Sequence, residues 1–379
     1  MHHFGHFETE LQLRYPELNL YVRNFADEGN TPAFHPHPGR GQQVSFEGGT
    51  KLLPEELQRN SGATGHFETP DQWLARHQID TILAFYGSVS AFRGEKELPR
   101  FEKELDAYLK HLKSQKFNGE SAPQIALVSP TAIQDVRDRL DAPDPQPLNA
   151  TRKRYTETMR KVAEANGVLF IDAFDATSKW FATKEQMTID GLQLTDKAYR
   201  KLAPFLADQA FGKKKIATPQ LREKVEAAVA EKNWWWKSDF KIPNGVHVYG
   251  RRYKPFGPDN YPDELKKIRQ ITAIRDQNLW AVANGKAFDV AAADAKTLEL
   301  PAIRTNYKPS KKNGSSEYLY GEEARSKLSV ADGYKIELFA DERQFPNLAN
   351  PVQMSFDNKG RLWVACMPSY PHYRPGDPR

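Results

Sequence analysis

Between residues 19 and 211, short apolar segments alternate with amphipathic helical segments, and this alternation constrains the fold most strongly. Helical spacing is clear behind the second apolar segment, where Phe101, Leu105 and Leu109 recur. Strands that alternate with helices in this way are typical of a parallel sheet covered on both faces. The predicted strands are NLYVRNF (19–25), IDTILAFYG (79–87), QIALVSP (124–130) and GVLFIDAF (167–174). The pattern therefore predicts a three-layer α/β/α domain over residues 1–211.

Capping residues divide this domain into its helices. Asn149 is a predicted N-cap, Gly167 is predicted to end the same helix, and Thr195 is the predicted N-cap of the next one. Gln193 then falls in the turn before that helix. Because α/β proteins place their sites in loops at the carboxyl ends of parallel strands, this turn is a candidate site.

The character of the chain changes after residue 211. Residues 212–283 form a helical and aromatic connector, and residues 284–327 are polar and typical of a linker. Two further segments, YKIELFA (334–340) and VQMSFDNKGRLWVACM (352–367), alternate as strands, the second as a hairpin. We therefore predict that an all-β domain begins within residues 328–379 and is incomplete there.

Charge and residue usage exclude several classes of function. The 54 basic and 49 acidic residues give a net charge of +5 that is not gathered in one block, so no nucleic-acid partner is predicted. A single cysteine, Cys366, excludes an internal disulfide and a CxxC or CxxCH motif. No histidine cluster has acidic or thiolate partners at ligand spacing, and no apolar run is long enough to span a membrane. We predict no metal, no cofactor and no membrane span within these residues.

Four segments, in their order and spacing, resemble the successive blocks of the SGNH (GDSL-like) hydrolase family. They are RNFADEGNT (23–31), ILAFYGSVSAF (82–92), IALVSP (125–130) and TIDGLQLTDKAYRKLA (188–203). The resemblance covers roughly the first 210 residues and implies a flavodoxin-like parallel sheet. The connector and the hairpin segment GRLWVACMPSYPHY resemble the connector and first propeller strands of PVC-type haem-binding multidomain proteins. That second resemblance implies a β-propeller over residues 328–379 and an exported or periplasmic location.

The first resemblance implies an ester-hydrolase site whose side chains are altered here. In the family a serine attacks the ester, the histidine of a DxxH segment takes its proton, and an aspartate orients that histidine. Asp190 stands at the aspartate position and Gly29 at the oxyanion glycine. Gln193 stands at the histidine position and Val89 at the oxyanion asparagine, and neither can replace the lost chemistry. The serine block is expected upstream of Met1, in a strand that the sheet needs in its interior.

Other polar residues at the predicted strand ends are candidates for binding a ligand in the former active-site cleft. They are Arg23, Asn24, Tyr86, Ser88 and Ser90. A base relocated from another loop is the other possibility that the sequence leaves open. The histidines considered for it are His66, His77, His111 and His247, of which His247 lies in the connector and is also a candidate binding residue.

Two functions of different class follow. The first is a catalytically degenerate hydrolase fold, a pseudoenzyme kept as a binding or architectural module for a glycan or another polar ligand, beside the remainder of its own propeller. The alternative is an active ester hydrolase for carbohydrate or acyl esters, with its nucleophile upstream of Met1 and a relocated base. A redox function would depend on haem-binding segments beyond Arg379.

Overall fold

The computed structural model describes residues 5–27, 29–36, 43–58, 68–183, 185–216, 218–242, 257–300 and 319–367. The chain divides into two compact units, residues 1–302 and 303–379. The predicted site residue His247 lies outside the described residues, as does His66.

A three-stranded parallel sheet lies at the centre of the first unit. Its strands β1 (Thr81–Phe85), β2 (Gln124–Val128) and β3 (Leu169–Ile171) are neighbours in that order. All three are short apolar runs, as is typical of parallel strands that are covered on both faces. The predicted α/β class and three of the four predicted strands are confirmed.

Helices cover both faces of this sheet. Side chains alternate along β2, so that Leu127 packs on one face with Leu109 and Met159, and Val128 packs on the other with Leu202. The helices described in the first unit are α1 (His6–Arg14), α2 (Glu55–Gln58), α3 (Pro70–Arg76), α4 (Ser88–Ala91), α5 (Leu98–Ser114), α6 (Gln146–Ala165), α7 (Ala173–Phe181), α8 (Asp196–Phe211), α9 (Arg222–Phe240), α10 (Gly257–Ala283) and α11 (Val290–Asp294).

The predicted caps are confirmed in part. Thr195 accepts a hydrogen bond from the amide of Ala198 and caps α8, and Gly167, with φ of 61°, follows the end of α6. The prediction for Asn149 is wrong, because α6 begins at Gln146. The side-chain amide of Asn149 instead accepts from and donates to the backbone of Ile133, at 2.8 and 2.9 Å. This amide therefore fixes the loop after β2.

The first predicted strand, residues 19–25, is wrong as a strand. Within the described residues its backbone pairs with no other strand, and side chains bind its carbonyl groups instead. The indole of Trp280 donates to Leu20 O at 2.9 Å, and that of Trp236 donates to Asn24 O at 2.9 Å. A strand needs a neighbouring strand to bond its backbone groups. In this segment, side chains that project from helices bond the carbonyl groups instead.

Buried ion pairs join the connector helices α9 and α10 to α1 and to the segment at residues 19–25. Lys232 of α9 donates to Glu8 at 2.8 Å, and the Arg23 guanidinium contacts both carboxylate oxygens of Asp276 on α10, at 2.9 and 2.5 Å. Burial raises the pKa of Glu8 and lowers that of Lys232, which reflects the cost of removing these charges from water. Breaking such a pair by removing one partner is strongly destabilising, so the connector is part of the first unit's core.

The second unit contains α12 (Gly321–Ser326), β4 (Pro351–Phe356) and β5 (Leu362–Cys366). β4 and β5 are antiparallel, as predicted for the hairpin, and the Asp357 carboxylate accepts from the amides of Lys359 and Arg361 in its turn. The predicted strand at 334–340 is wrong: the described backbone there pairs with no strand, and Phe339 is 80% exposed. The propeller beyond this hairpin stays a prediction.

None of the helices in the described ranges has both the length and the apolar composition needed to cross a lipid bilayer.

Candidate active site at the carboxyl edge of the sheet

The carboxyl edge of the sheet, where β1, β2 and β3 end, begins with a tight turn after β1. Gly87 has φ of 89°, and a Cβ atom there would lie 2.9 Å from Met159 Sδ and 3.2 Å from Pro130. Only glycine fits this backbone, because L-residues avoid positive φ and the space is filled. The turn starts α4, in which Ser88 is exposed, Val89 is half-buried, and Ser90 is buried. Val89, at the position of the family's asparagine, offers no hydrogen-bond donor.

Gln134, in the loop after β2, joins this edge to the segment that contains the predicted aspartate. Its Oε1 accepts from the amides of Met187 and Thr188 and from Thr188 Oγ1, at 3.1, 2.9 and 2.8 Å. Its backbone amide donates to Gly191 O at 2.9 Å. Sequence reasoning missed Gln134, because a glutamine in a polar loop has no local signal that reveals a partner over fifty positions away.

The turn at residues 188–195 is closed by Asp190 itself. Asp190 Oδ1 accepts from the amides of Leu192 and Gln193 at 2.9 and 2.7 Å. The Gln193 amide is the main cause of the lowered pKa of Asp190, and both side chains are exposed. A carboxylate that closes its own turn in this way acts as a structural Asx-type group.

Gly29 lies in a separate segment that packs on α5. It has φ of 88°, and the nearest atom to an added Cβ would be Pro36 Cγ at 3.3 Å. Phe46, which follows in the same segment, packs against Tyr108 with ring centres 5.8 Å apart. Within the described residues no hydrogen bond or ion pair joins Gly29 to Asp190. Their convergence in one cleft therefore stays a prediction.

A cavity of about 1330 Å³ lies along the open edge of β1. Two continuous stretches, residues 18–27 and 76–86, form much of its wall. In the described residues β1 pairs with β2 alone, so the backbone groups on its other edge face this space. Three of the predicted binding residues, Arg23, Asn24 and Tyr86, line the cavity, whereas Ser88 and Ser90 belong to the turn after β1.

Several polar groups on the cavity wall have no acceptor or donor among the described residues. The buried atoms are Glu8 Oε1, Arg23 Nε, Asn30 Oδ1 and His77 Nε2. Buried polar atoms of folded proteins are normally hydrogen-bonded, and most exceptions have a partner such as water, an ion or a ligand. The cavity is therefore suited to a polar occupant.

Two of the histidines considered as a relocated base are committed to other contacts. His77 Nδ1 lies 2.5 Å from Tyr21 Oη, and burial with the nearby Arg76 lowers the pKa of His77 to about 3. His111 Nε2 lies 2.6 Å from Asp71 and packs on Phe46. Neither side chain contacts the turn at Asp190.

A histidine–carboxylate pair that sequence reasoning missed lies on the cavity wall. His35 Nε2 contacts Asp27 Oδ2, and Lys241 contacts the other oxygen of the same carboxylate. Hydrogen bonds from His35 and Lys241 outweigh burial and hold the pKa of Asp27 at about 2. Eight positions separate Asp27 and His35, and the folded backbone brings their side chains together.

Among the residues that the structure describes, no group of three or more histidine, cysteine, aspartate or glutamate side chains could hold a metal ion.

Comparisons with known proteins give a family match at the carboxyl end and weak structural likenesses elsewhere. Residues 321–379 match a family described as a domain of unknown function (DUF7133). No curated protein matches the chain significantly. One similar solved structure is a mutant of Axe2, an acetyl-xylooligosaccharide esterase from Geobacillus Stearmophilus, with 18% identity and a TM-score of 0.37 over 55% of this chain and 80% of that chain. Another is a peptidoglycan O-acetylesterase, with 18% identity and a TM-score of 0.29 over 37% of this chain and 42% of that chain.

Proposed function

We propose that the first unit is an SGNH-hydrolase-like domain that has lost catalysis and serves as a binding or architectural module for a glycan or another polar ligand. The observation that carries this proposal is the use of Asp190. Its carboxylate closes its own turn through the amides of Leu192 and Gln193, and an exposed glutamine stands three residues on, where the family has its base. An amide takes no proton near neutral pH, so this turn contains no acid–base pair.

The oxyanion side of the site supports the same proposal. Val89 has no donor, and the loss of one oxyanion donor typically lowers kcat by about 100-fold or more. Two of the histidines considered as a relocated base, His77 and His111, contact Tyr21 and Asp71 instead. The cavity beside β1 supports a binding role for this domain. Its wall carries buried polar atoms that have no hydrogen-bond partner among the described residues.

The second unit we assign to the opening strands of a β-propeller of the PVC-type haem-binding multidomain kind. The exposed hairpin β4–β5 and the segment GRLWVACM within it support this assignment. We propose an exported or periplasmic location on the same basis, with the remainder of the propeller as a partner of this unit. No cofactor is assigned to these residues.

An active ester hydrolase is the second candidate, and one observation favours it. The cavity lies between residues 18–27 and the edge of β1 that pairs with no strand among the described residues, and this candidate places one further strand there. A parallel strand there would end at the carboxyl edge, and in this candidate it comes from upstream of Met1 and carries the serine. His35, paired with Asp27 on the cavity wall, would then supply the relocated base.

Ester hydrolysis distinguishes the two candidates. We expect no turnover of short acyl esters or acetylated xylo-oligosaccharides above background, both for this chain and for a longer chain that includes the residues encoded upstream. In that longer chain, Gln193→His together with Val89→Asn should raise the rate at least tenfold, because a base and a donor return. Gln186→His, in the same loop but outside the turn, is the matched control and should not.

Measurable ester turnover by the unaltered protein would contradict the proposal that this domain has lost catalysis. If that turnover were abolished in His35→Ala, the relocated base would be identified on the cavity wall. If it were instead abolished in His247→Ala, the base would come from the connector.

A further inference from the structure

Arg152 lies in the second turn of α6, beside the carboxyl ends of β1 and β2, and is 1% exposed. Its Nη1 donates to Thr131 O at 2.7 Å, and its Nη2 donates to Ser88 Oγ at 3.0 Å. The guanidinium carbon lies 5.6 Å from the ring centre of Phe92. Nε is buried and has no acceptor within the described part of the chain. The donors of this guanidinium thus exceed its acceptors.

The charge of Arg152 is also uncompensated. Among the described residues no carboxylate pairs with it, and burial alone lowers its pKa to about 10. Three other arginines with a largely buried guanidinium, Arg14, Arg23 and Arg275, have a carboxylate at 2.5, 2.5 and 2.6 Å. An isolated buried charge costs several kcal/mol, and proteins normally pair it or neutralise it. Arg152 therefore lacks the counter-charge that comparable arginines in this chain have.

The side chain that bonds Nη2 of Arg152 belongs to an exposed residue, Ser88. An anion that takes the place of the Ser88 hydroxyl at Nη2 could also accept a hydrogen bond from that hydroxyl. Ser90, on the same short helix, has a buried Oγ with no partner among the described residues. Ligands of α/β proteins bind at this edge of the sheet, beyond the carboxyl ends of the strands.

We propose that Arg152 and Ser88 form an oxyanion-binding site, and that its ligand is the carboxylate of an acidic sugar. A guanidinium binds a carboxylate through two parallel hydrogen bonds, and charge-assisted bonds of this kind are about twice as strong as neutral ones. The proposal rests on the binding role given above and narrows its ligand class from glycans in general to acidic ones. No reaction step is involved.

The test is a thermal-shift and calorimetric titration of the full chain with glucuronate, acetate, inorganic phosphate and, as the neutral counterpart, glucose. Glucuronate should raise the Tm in a saturable way, and glucose should not. Binding of glucuronate should weaken at least tenfold in Arg152→Met, since a hydrogen bond to a charged group contributes about 1.5–3 kcal/mol. Arg154→Met, on the same helix but exposed and paired with Glu95, is the matched control and should keep the affinity.

A second measurement keeps the site testable if Arg152→Met does not fold. The side-chain Nε–H resonance of Arg152 in the unaltered, ¹⁵N-labelled protein should shift on titration with glucuronate, because its environment gains an acceptor. An unchanged resonance at saturating glucuronate would overturn the proposal. So would an equal Tm rise in Arg152→Met, which would place the anion elsewhere.

The different ligands of this titration distinguish failure of the Arg152 site from failure of the proposed binding role. If acetate or phosphate binds as tightly as glucuronate with the same dependence on Arg152, the site takes free small anions and the sugar assignment is wrong. If neutral oligosaccharides bind and no anion does, the oxyanion site is wrong while the binding module stands. If nothing binds, both fail.

Discussion

At the scale of single residues, several polar side chains around the carboxyl edge of the sheet are held mainly by backbone groups of the loops there. Asp190 accepts two amides of its own turn, Gln134 accepts three donors from residues 187 and 188, and Asn149 bonds both backbone groups of Ile133. Each of these bonds fixes a loop and removes an acceptor or donor from possible use in chemistry. Arg152 contrasts with them, because its buried Nε has no acceptor among the described residues.

His77 gives the protein a defined pH dependence at this scale. Its pKa is lowered to about 3 in the folded protein, whereas an unfolded histidine has a pKa of about 6.5. The unfolded chain therefore binds the proton first, so this contribution to stability is full above pH 6.5 and is lost as the pH falls towards 3. Urea unfolding at pH 7.5 and 5.5 should show a loss of about 1 kcal/mol from this residue.

The variant His77→Gln isolates that contribution. Its free energy of unfolding should fall less between the two pH values than that of the unaltered protein, by the same amount of about 1 kcal/mol. An identical pH dependence in both proteins would show that His77 is not held neutral by burial.

At the scale of secondary-structure elements, the turn from β1 to α4 depends on one glycine. Gly87→Ala should destabilise the fold by about 3 kcal/mol, because a left-handed L-residue costs about 1–2 kcal/mol and overpacking adds a similar amount. Gly119→Ala is the matched control: its φ of 79° is similar, but no atom lies within 4 Å of an added Cβ. Gly119→Ala should lower the free energy of unfolding only by the cost of the left-handed backbone, about 1–2 kcal/mol. Chemical denaturation measures both losses of stability. If they are equal, Met159 can move away from the added Cβ atom without an energetic cost.

The open edge of β1 is a second feature at this scale. Unpaired strand edges favour pairing with another strand, and native proteins usually cover them. In this unit the segment at 18–27 lies across the cavity from β1, and side chains of α9 and α10 bind its carbonyl groups. Within the described residues, this edge of β1 therefore faces the cavity and pairs with no strand.

At the scale of the whole molecule, the connector helices are built into the core of the first unit. A chain that ends at residue 216 lacks α9 and α10, so it exposes the apolar side chains that pack on these helices, among them Leu13 and Trp73, and it loses the ion pair of Glu8 with Lys232. We expect this chain to lose its cooperative thermal transition and to aggregate. A chain that ends at residue 302 should keep the transition, followed by circular dichroism. Cooperative unfolding of the shorter chain would show that the connector is dispensable.

Much of the fold could be predicted from local sequence. The apolar runs at β1, β2 and β3, the helical spacing of α5, the Thr195 cap and the hairpin around Asp357 all depend on neighbours within a few residues. The segments at 19–25 and 334–340 carried the same strand pattern and form no strand. Strand formation depends on a partner, and a partner is not a local property.

The candidate site could be predicted only as positions. Asp190, Gln193 and Val89 were identified from the resemblance to the hydrolase family, and the turn that contains Gln193 lies directly before α8, as the Thr195 cap predicted. Gln134 and the pair of Asp27 and His35 gave no signal, since their roles arise from contacts between separate segments. The sequence also contained no sign that Arg152 would have no carboxylate partner among the described residues.

The sequence by itself determined the parallel α/β class, the order of the elements and the presence of an amide rather than an acid–base group at Gln193, because hydrophobic periodicity, caps and side-chain chemistry are local. Only the tertiary structure decided which polar groups are paired. It joined Arg23 to Asp276 and Lys232 to Glu8 across more than two hundred positions, and within the part of the chain that the structure describes it left Arg152 without a carboxylate. The physical reason is that desolvation and ion pairing act through space, so the charge that a buried group meets depends on how the chain folds back on itself.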